Sequence, residues 1–162
     1  MIEAATIRFT GEIRRIVVAV DPPAAAGAQS CCGIVVAGLE ASGCAVVLAD
    51  CSVQGASSAG WASAVVRAYR RFSADRVVAE INQGGDMVTS MLKSIDESLP
   101  VSTVRATRAK YLRAEPVAAL YEQGRVAHAG RFVALEDQMC DFGPDGLSPA
   151  ARPTGWMRWS GR

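Results

Sequence analysis

The chain has 162 residues, 50% of them hydrophobic, which is enough for one core of ordinary size and one compact domain. Its formal charge of +1, from 17 Lys and Arg against 16 Asp and Glu, gives no global electrostatic case for a nucleic-acid binder, a class that commonly carries a basic excess or stripe. The five cysteines, at 31, 32, 44, 51 and 140, include no CxxC pair for zinc or redox chemistry, and their odd number fits reduced cytoplasmic thiols better than a disulfide framework.

Residues 1–14 carry charges throughout and hold no apolar stretch long enough for a signal peptide or a membrane span. They read as a polar leader or the remnant of a linker, and the expectation is a soluble, cytoplasmic protein. Arg15 to Asp21 (RIVVAVD) is a valine-rich run stopped by Pro22 and Pro23, which predicts a buried strand ending at a rigid turn. Cys32 to Gly38 and Cys44 to Asp50 predict two more strands, and the short Glu40 to Gly43 turn between them predicts a hairpin, so the first three strands form an antiparallel meander.

From Ala59 to Phe72, Trp61, Val65, Ala68, Tyr69 and Phe72 recur at helical spacing, with Arg67, Arg70 and Arg71 on the opposite, solvated side. Arg76 to Ile81 is a fourth strand. Met87, Val88, Met91, Leu92 and Ile95 then mark a second helix, and Leu99 to Val104 a fifth strand. Helices from about Arg113 to Glu122 and from Phe132 to Cys140 complete the ordered part. An antiparallel group followed by alternating elements predicts an α/β fold of the ribonuclease H-like kind: a mixed sheet flanked by helices, over residues 15–147.

Metal-dependent phosphodiester cleavage needs oxygen ligands holding two Mg²⁺ or Mn²⁺ ions roughly 4 Å apart. Asp21 closes the first strand and Glu80 sits near the end of the fourth; if those strands are neighbours, both carboxylates face one cleft. Acids at strand ends are common and mostly solvated, so the pattern alone is weak.

The blocks RIVVAVDPP (15–23), CGIVVAG (32–38), VVAEINQGGDMV (77–88), KYLRAEPVAALYEQGRVAH (110–128) and FVALEDQM (132–139) together resemble the C-terminal nuclease domain of the phage or gene-transfer-agent large terminase. The strand-ending Asp before proline and the Glu-x-Asn-x-Gly-Gly segment are the most specific pieces. The resemblance implies a two-metal endonuclease that cuts double-stranded DNA during packaging, with Asp21 and Glu80 as catalytic and metal-binding acids and Mg²⁺ or Mn²⁺ as cofactor. It also implies the portal and the small terminase subunit as partners. No GxxxxGK[ST] phosphate loop occurs, so the ATPase of the full-length family is not encoded in this chain. The reading is of a fragment, a remnant gene or a separately encoded domain.

The family places its third acid in a motif resembling SPDRxDAxVWA. Here Ser148 and Pro149 are followed by AARPTGWMRWSGR, with no acid after Asp145. Residues Pro153 to Arg162 can be encoded as CCG ACC GGC TGG ATG CGA TGG TCT GGG CGC, which read from the third base gives DRLDAMVWA. Trp156 and Met157 have one codon each, so TGG ATG always contains an Asp codon in that frame. Residues 148–162 therefore read as an aberrant, frameshifted tail that leaves the metal site one ligand short.

Asp86, Glu136, Asp137 and Asp145 are the candidates for an accessory ligand, with Asp141 as a further substitute. Against that stand an acid complementing a helix N-terminus at 86 and solvated acids elsewhere. Asn82, Gly84 and Gly85 read as a turn before a helix, with phosphate cradling as the alternative. Lys110 and Arg113, in the family's KxxRA segment, are DNA-backbone candidates, against a solvated helix start with a capping Glu115. His128, the only histidine, reads as a surface residue on a short strand rather than a general base. Cys31 and Cys32 read as packing residues. Beside the nuclease stand two rivals: a catalytically inactive terminase remnant, and a ribonuclease H-like structural module with no nucleic-acid role.

Overall fold

The β-branched run that ends at Asp21 forms β1 (Ile13–Asp21), two residues longer at its start than its apolar core suggests. β2 (Cys31–Glu40) runs antiparallel to it and β3 (Ala45–Asp50) runs antiparallel to β2, the predicted meander. The turn between β2 and β3 closes through Gly43 N–H to Glu40 O at 3.0 Å and requires φ +85° at Gly43, a conformation that favours glycine. The computed structural model describes residues 11–23, 30–81, 85–105, 110–140, 142–143 and 146–147.

A short β4 (Val53–Gln54) pairs with the start of β2, and α1 (Ser58–Arg71) follows. Ser57 caps α1, its hydroxyl accepting from Gly60 N–H at 3.1 Å, which satisfies one of the donors a helix start leaves without an intrahelical partner. β5 (Arg76–Ile81) returns parallel to β1, α2 (Gly85–Ile95) follows, and β6 (Val101–Arg105) lies parallel to β5. β6 starts two residues later than expected because Pro100 has no N–H to give the ladder; the Pro100 carbonyl instead accepts from Val77 N–H at 2.9 Å.

α3 (Lys110–Glu122) begins three residues before the predicted start, which places Glu115 inside the helix rather than at its cap. β7 (Val126–His128) adds parallel to β3, then come α4 (Val133–Cys140) and a small hairpin of β8 (Phe142–Gly143) and β9 (Gly146–Leu147). The main sheet has the order β6-β5-β1-β2-β3-β7, with β4 beside β2. No helix among the described residues is long and apolar enough to cross a membrane.

One face of the sheet makes the core. Val18, Val20, Ile34, Val36, Val77 and Ala79 are buried there in one cluster with Ala62, Val65 and Ala68 of α1 and Leu92 of α2. Each of these strand residues is separated by two from its neighbour in the set, the period that sends alternate side chains to one face. Leu92 is 0% exposed, so Leu92→Ala should lower unfolding stability by about 2–5 kcal/mol, read as a drop in urea midpoint at unchanged m value. Of the three α1 arginines, Arg67 is exposed, Arg70 pairs with Asp96 at 2.8 Å, and Arg71 lies 5.4 Å from the centre of the Phe72 ring. Asp96 is held below the usual carboxylate range, chiefly by the Ser98 hydroxyl and then by the Arg70 guanidinium.

Candidate metal centre

Asp21 and Glu80 meet because of strand register. β1 and β5 pair in parallel with Val17 beside Arg76, Val18 beside Val77, Ala19 beside Val78 and Val20 beside Ala79. One further step along both strands sets Asp21 beside Glu80, with neighbouring strands about 4.8 Å apart. Val20 and Ala79 point into the core, so alternation sends Asp21 and Glu80 to the other face together.

The β2 residue opposite Asp21 is Gly33, so that strand puts no side chain beside the carboxylate. Pro22 and Pro23 follow at once and fix the exit of the chain. Next to Gly33, Cys32 is buried and its thiol is pushed up to about 12, by burial first and then by the negative charges of Asp21 and Cys31. Cys32 is therefore a neutral packing thiol at neutral pH rather than a thiolate ligand. Burial and the Asp50 charge also raise the Cys31 thiol. All five cysteines are free.

Two carboxylates side by side are the donor chemistry that hard divalent cations take. Among the described residues no group of three or more His, Cys, Asp or Glu side chains assembles around a common point, so a full ligand set needs a contribution from elsewhere. Asp145 and Asp141 lie outside the described residues, as do Asn82 and Gly84. Asp86 is placed in the first turn of α2, and Lys110 and Arg113 in the first turns of α3, with side chains outside the described set. Asp137 is exposed on α4.

Glu136 is elsewhere. It belongs to a second polar centre, at the opposite edge of the sheet, that the sequence did not announce. β7 stands three strands from β1, roughly 14 Å at the usual spacing. There His128, expected at the surface, is 0% exposed. Its Nδ1 lies 3.0 Å from Glu136 Oε1 and its Nε2 2.6 Å from the Tyr121 hydroxyl, so α3, β7 and α4 meet on one imidazole. Glu136 Oε1 also accepts from Phe132 N–H at 3.0 Å. Burial alone would raise the Glu136 carboxyl; the Phe132 N–H, His128 and Arg131 outweigh it and hold the group below its ordinary value. Tyr121 is pushed up to about 12 by burial and by the Glu136 charge. The structure thus brings Asp21 and Glu80 together and does not bring Glu136 to them.

The model of the Terminase RNaseH-like domain family matches residues 18–154, a span that contains both acids and most of the chain. No curated protein matches the sequence significantly. Among solved structures, the large terminase nuclease from thermophilic phage G20c with bound cobalt superposes with a TM-score of 0.59 at 17% identity, over 96% of this chain and 81% of that one. The large terminase of bacteriophage HK97 gives 0.65 at 12% identity, over 90% of this chain but 36% of that one. The yeast mitochondrial Holliday junction resolvase gives 0.51 at 13% identity, over 81% of this chain and 73% of that one. At these identities the structural likenesses speak for a ribonuclease H-like fold, and the family model for the lineage: the chain belongs to the terminase RNaseH-like domain family.

Proposed function

We propose that this chain is the nuclease domain of a large terminase, a divalent-metal endonuclease that cuts double-stranded DNA for packaging into phage or gene-transfer-agent capsids. The observation that carries the reading is the register that sets Asp21 beside Glu80 at the ends of two parallel strands. The thermophilic-phage nuclease has been solved with bound cobalt, magnesium and zinc, which supports a divalent metal in the family. Mg²⁺ or Mn²⁺ suits carboxylate ligands, and when bound would activate water and offset the charge of the cleaved phosphate.

The chain's own residues supply the rest. Asp21 and Glu80 hold the metal; Gly33 leaves room beside them; the neutral Cys32 adds no competing charge. Lys110 and Arg113, in the first turns of α3, neutralise DNA phosphates. The portal and the small terminase subunit are the partners this role implies, with the cytoplasm as its compartment.

The third acid is the weak point. A second reading, in which the present chain is an inactive remnant that keeps the fold, rests on the tail sequence alone: Pro153 to Arg162 carry no acid, and an alternative frame restores DRLDAMVWA there.

Mn²⁺-dependent nicking of supercoiled plasmid tests the proposal. Asp21→Asn should lower the rate by at least about 100-fold while leaving the far-ultraviolet circular dichroism unchanged, and chelation should abolish it. Cleavage that survives both would rule out the proposed site.

A further inference from the structure

The imidazole of His128 sits between a carboxylate and a hydroxyl, the order of groups found where a base activates a nucleophile. It does not work as one. The ring is 0% exposed, so no substrate reaches it, and the Tyr121 hydroxyl is pushed up to about 12, away from the phenolate a nucleophile needs. What the arrangement does is connect. Glu136 Oε1 also takes the Phe132 N–H and as a carboxylate oxygen only accepts, so Nδ1 of the neutral ring carries the proton and Nε2 accepts from the Tyr121 O–H at 2.6 Å. Two polar arms therefore leave one residue of β7, one to α4 and one to the last turn of α3.

α3 has little else to fix its direction. Among its described residues none is fully buried: Glu115, Pro116, Val117 and Ala118 are exposed, and Ala114, Ala119, Leu120 and Tyr121 are half-buried. It meets the sheet at β7, the strand that carries His128. A small apolar contact lets a helix pivot, whereas a short hydrogen bond to a buried ring selects one direction.

Lys110 and Arg113 stand eleven and eight residues before Tyr121, roughly 16 and 12 Å along the helix axis. A pivot of about 10° at the anchor carries the first turn through about 3 Å, the difference between a phosphate contact and none. Pro116 lies between the anchor and the two cations, and its locked φ gives the helix a bend of fixed direction.

We propose that His128 is a positioning residue for DNA binding: through Tyr121 it holds α3 in the direction that brings Lys110 and Arg113 onto the duplex backbone. The inference rests on the nuclease reading above, which gives those two residues their phosphates.

The test uses the full chain with Asp21→Asn, to prevent cleavage, in Ca²⁺, and follows binding of a fluorescein-labelled duplex by anisotropy from about 50 to about 200 mM salt. Lys110→Gln and Arg113→Gln should each reduce the slope of log affinity against log salt by about 0.9, the signature of one lost phosphate contact, and lower affinity on the order of 10-fold at about 0.1 M salt. Tyr121→Phe keeps the ring and loses only the hydroxyl; it should reduce the slope by about 1.8, two contacts. Adding Arg113→Gln to Tyr121→Phe should then change affinity less than about 2-fold, a non-additivity that a merely structural hydroxyl does not produce. Leu92→Ala, in the main core, controls for lost stability and should leave the slope unchanged.

An unchanged slope in Tyr121→Phe, full additivity with Arg113→Gln, or a Leu92→Ala chain that reproduces the loss overturns the proposal. No slope change in either Lys110→Gln or Arg113→Gln overturns the DNA contacts themselves, and the role of His128 falls with them. Nicking of plasmid by the Asp21 chain in Mn²⁺ is read separately: nicking with an unchanged Tyr121→Phe slope sinks the positioning role alone, and the predicted slopes without nicking, even after the third acid is restored, sink the nuclease reading alone.

Discussion

Replacing residues 153–162 with DRLDAMVWA is expected to raise Mn²⁺-dependent plasmid nicking by on the order of 100-fold over the present chain, because even the groups that only orient metal ligands cost 10–100-fold when lost and a missing ligand costs at least as much. Strand register sets Asp21 beside Glu80, but among the described residues no group of three or more His, Cys, Asp or Glu side chains assembles there. The ten residues Pro153 to Arg162 carry no acid at all. A control tail, NRLNAMVWA, separates ligand charge from the other effects of a restored segment: it should leave nicking at the level of the present chain. Equal rescue by both tails would assign the gain to folding rather than to coordination. No rescue by either would leave the chain as a ribonuclease H-like module without cleavage. Asp21→Asn in the restored background should return the rate to the level without metal, which ties the gain to the same centre.

The sheet was legible because its strands are valine runs with hard stops. RIVVAVD ends at two prolines, and RVVAEI ends at a glycine-bearing turn, so Asp21 and Glu80 could be placed at strand ends from the sequence. Their meeting could not. It depends on β5 returning to the free edge of β1 in a register one step short of the two acids, which no local pattern encodes. β7 was less visible still. Three residues, Val126 to His128, carry no periodicity, and they become a strand because the outer edge of β3 offers them a partner.

The same reasoning explains the errors at individual side chains. Glu136 and Asp137 in LEDQM both read as accessory-ligand candidates; Asp137 is exposed on α4 and Glu136 is buried. The partner of Glu136, however, is a histidine eight residues earlier rather than anything near Asp21. His128 lies in a polar context, GRVAHAG, and its burial is decided by where α3 and α4 pack. Met87 fails in the opposite sense. It shares the helical spacing of Val88 and Leu92, yet it stands at the start of α2, beside the prolines that end β1, where the core no longer reaches.

The buried polar centre should prove the most sensitive point of the fold. Glu136→Ala is expected to cost about 1–3 kcal/mol for each donor it strands, because it leaves His128 Nδ1 and the Phe132 N–H without their acceptor. Glu136 is 8% exposed, so water replaces it poorly. Urea denaturation at pH 7 measures the loss. Glu136→Gln keeps an acceptor but removes the charge, and its pH dependence isolates that charge. The folded Glu136 carboxyl is held below its ordinary value of 4.5, so its contribution is complete above that value and disappears as pH falls through the folded one. The gap in stability between the parent chain and Glu136→Gln should therefore be widest near neutral pH and close as the solution is taken well below 4.5. Tyr121→Phe, which leaves Nε2 without its hydroxyl partner, should lower stability by about 1–3 kcal/mol without reproducing that closure. A gap for Glu136→Gln that stays constant with pH would mean that hydrogen bonding alone, and not an ionised carboxylate, ties α4 to β7.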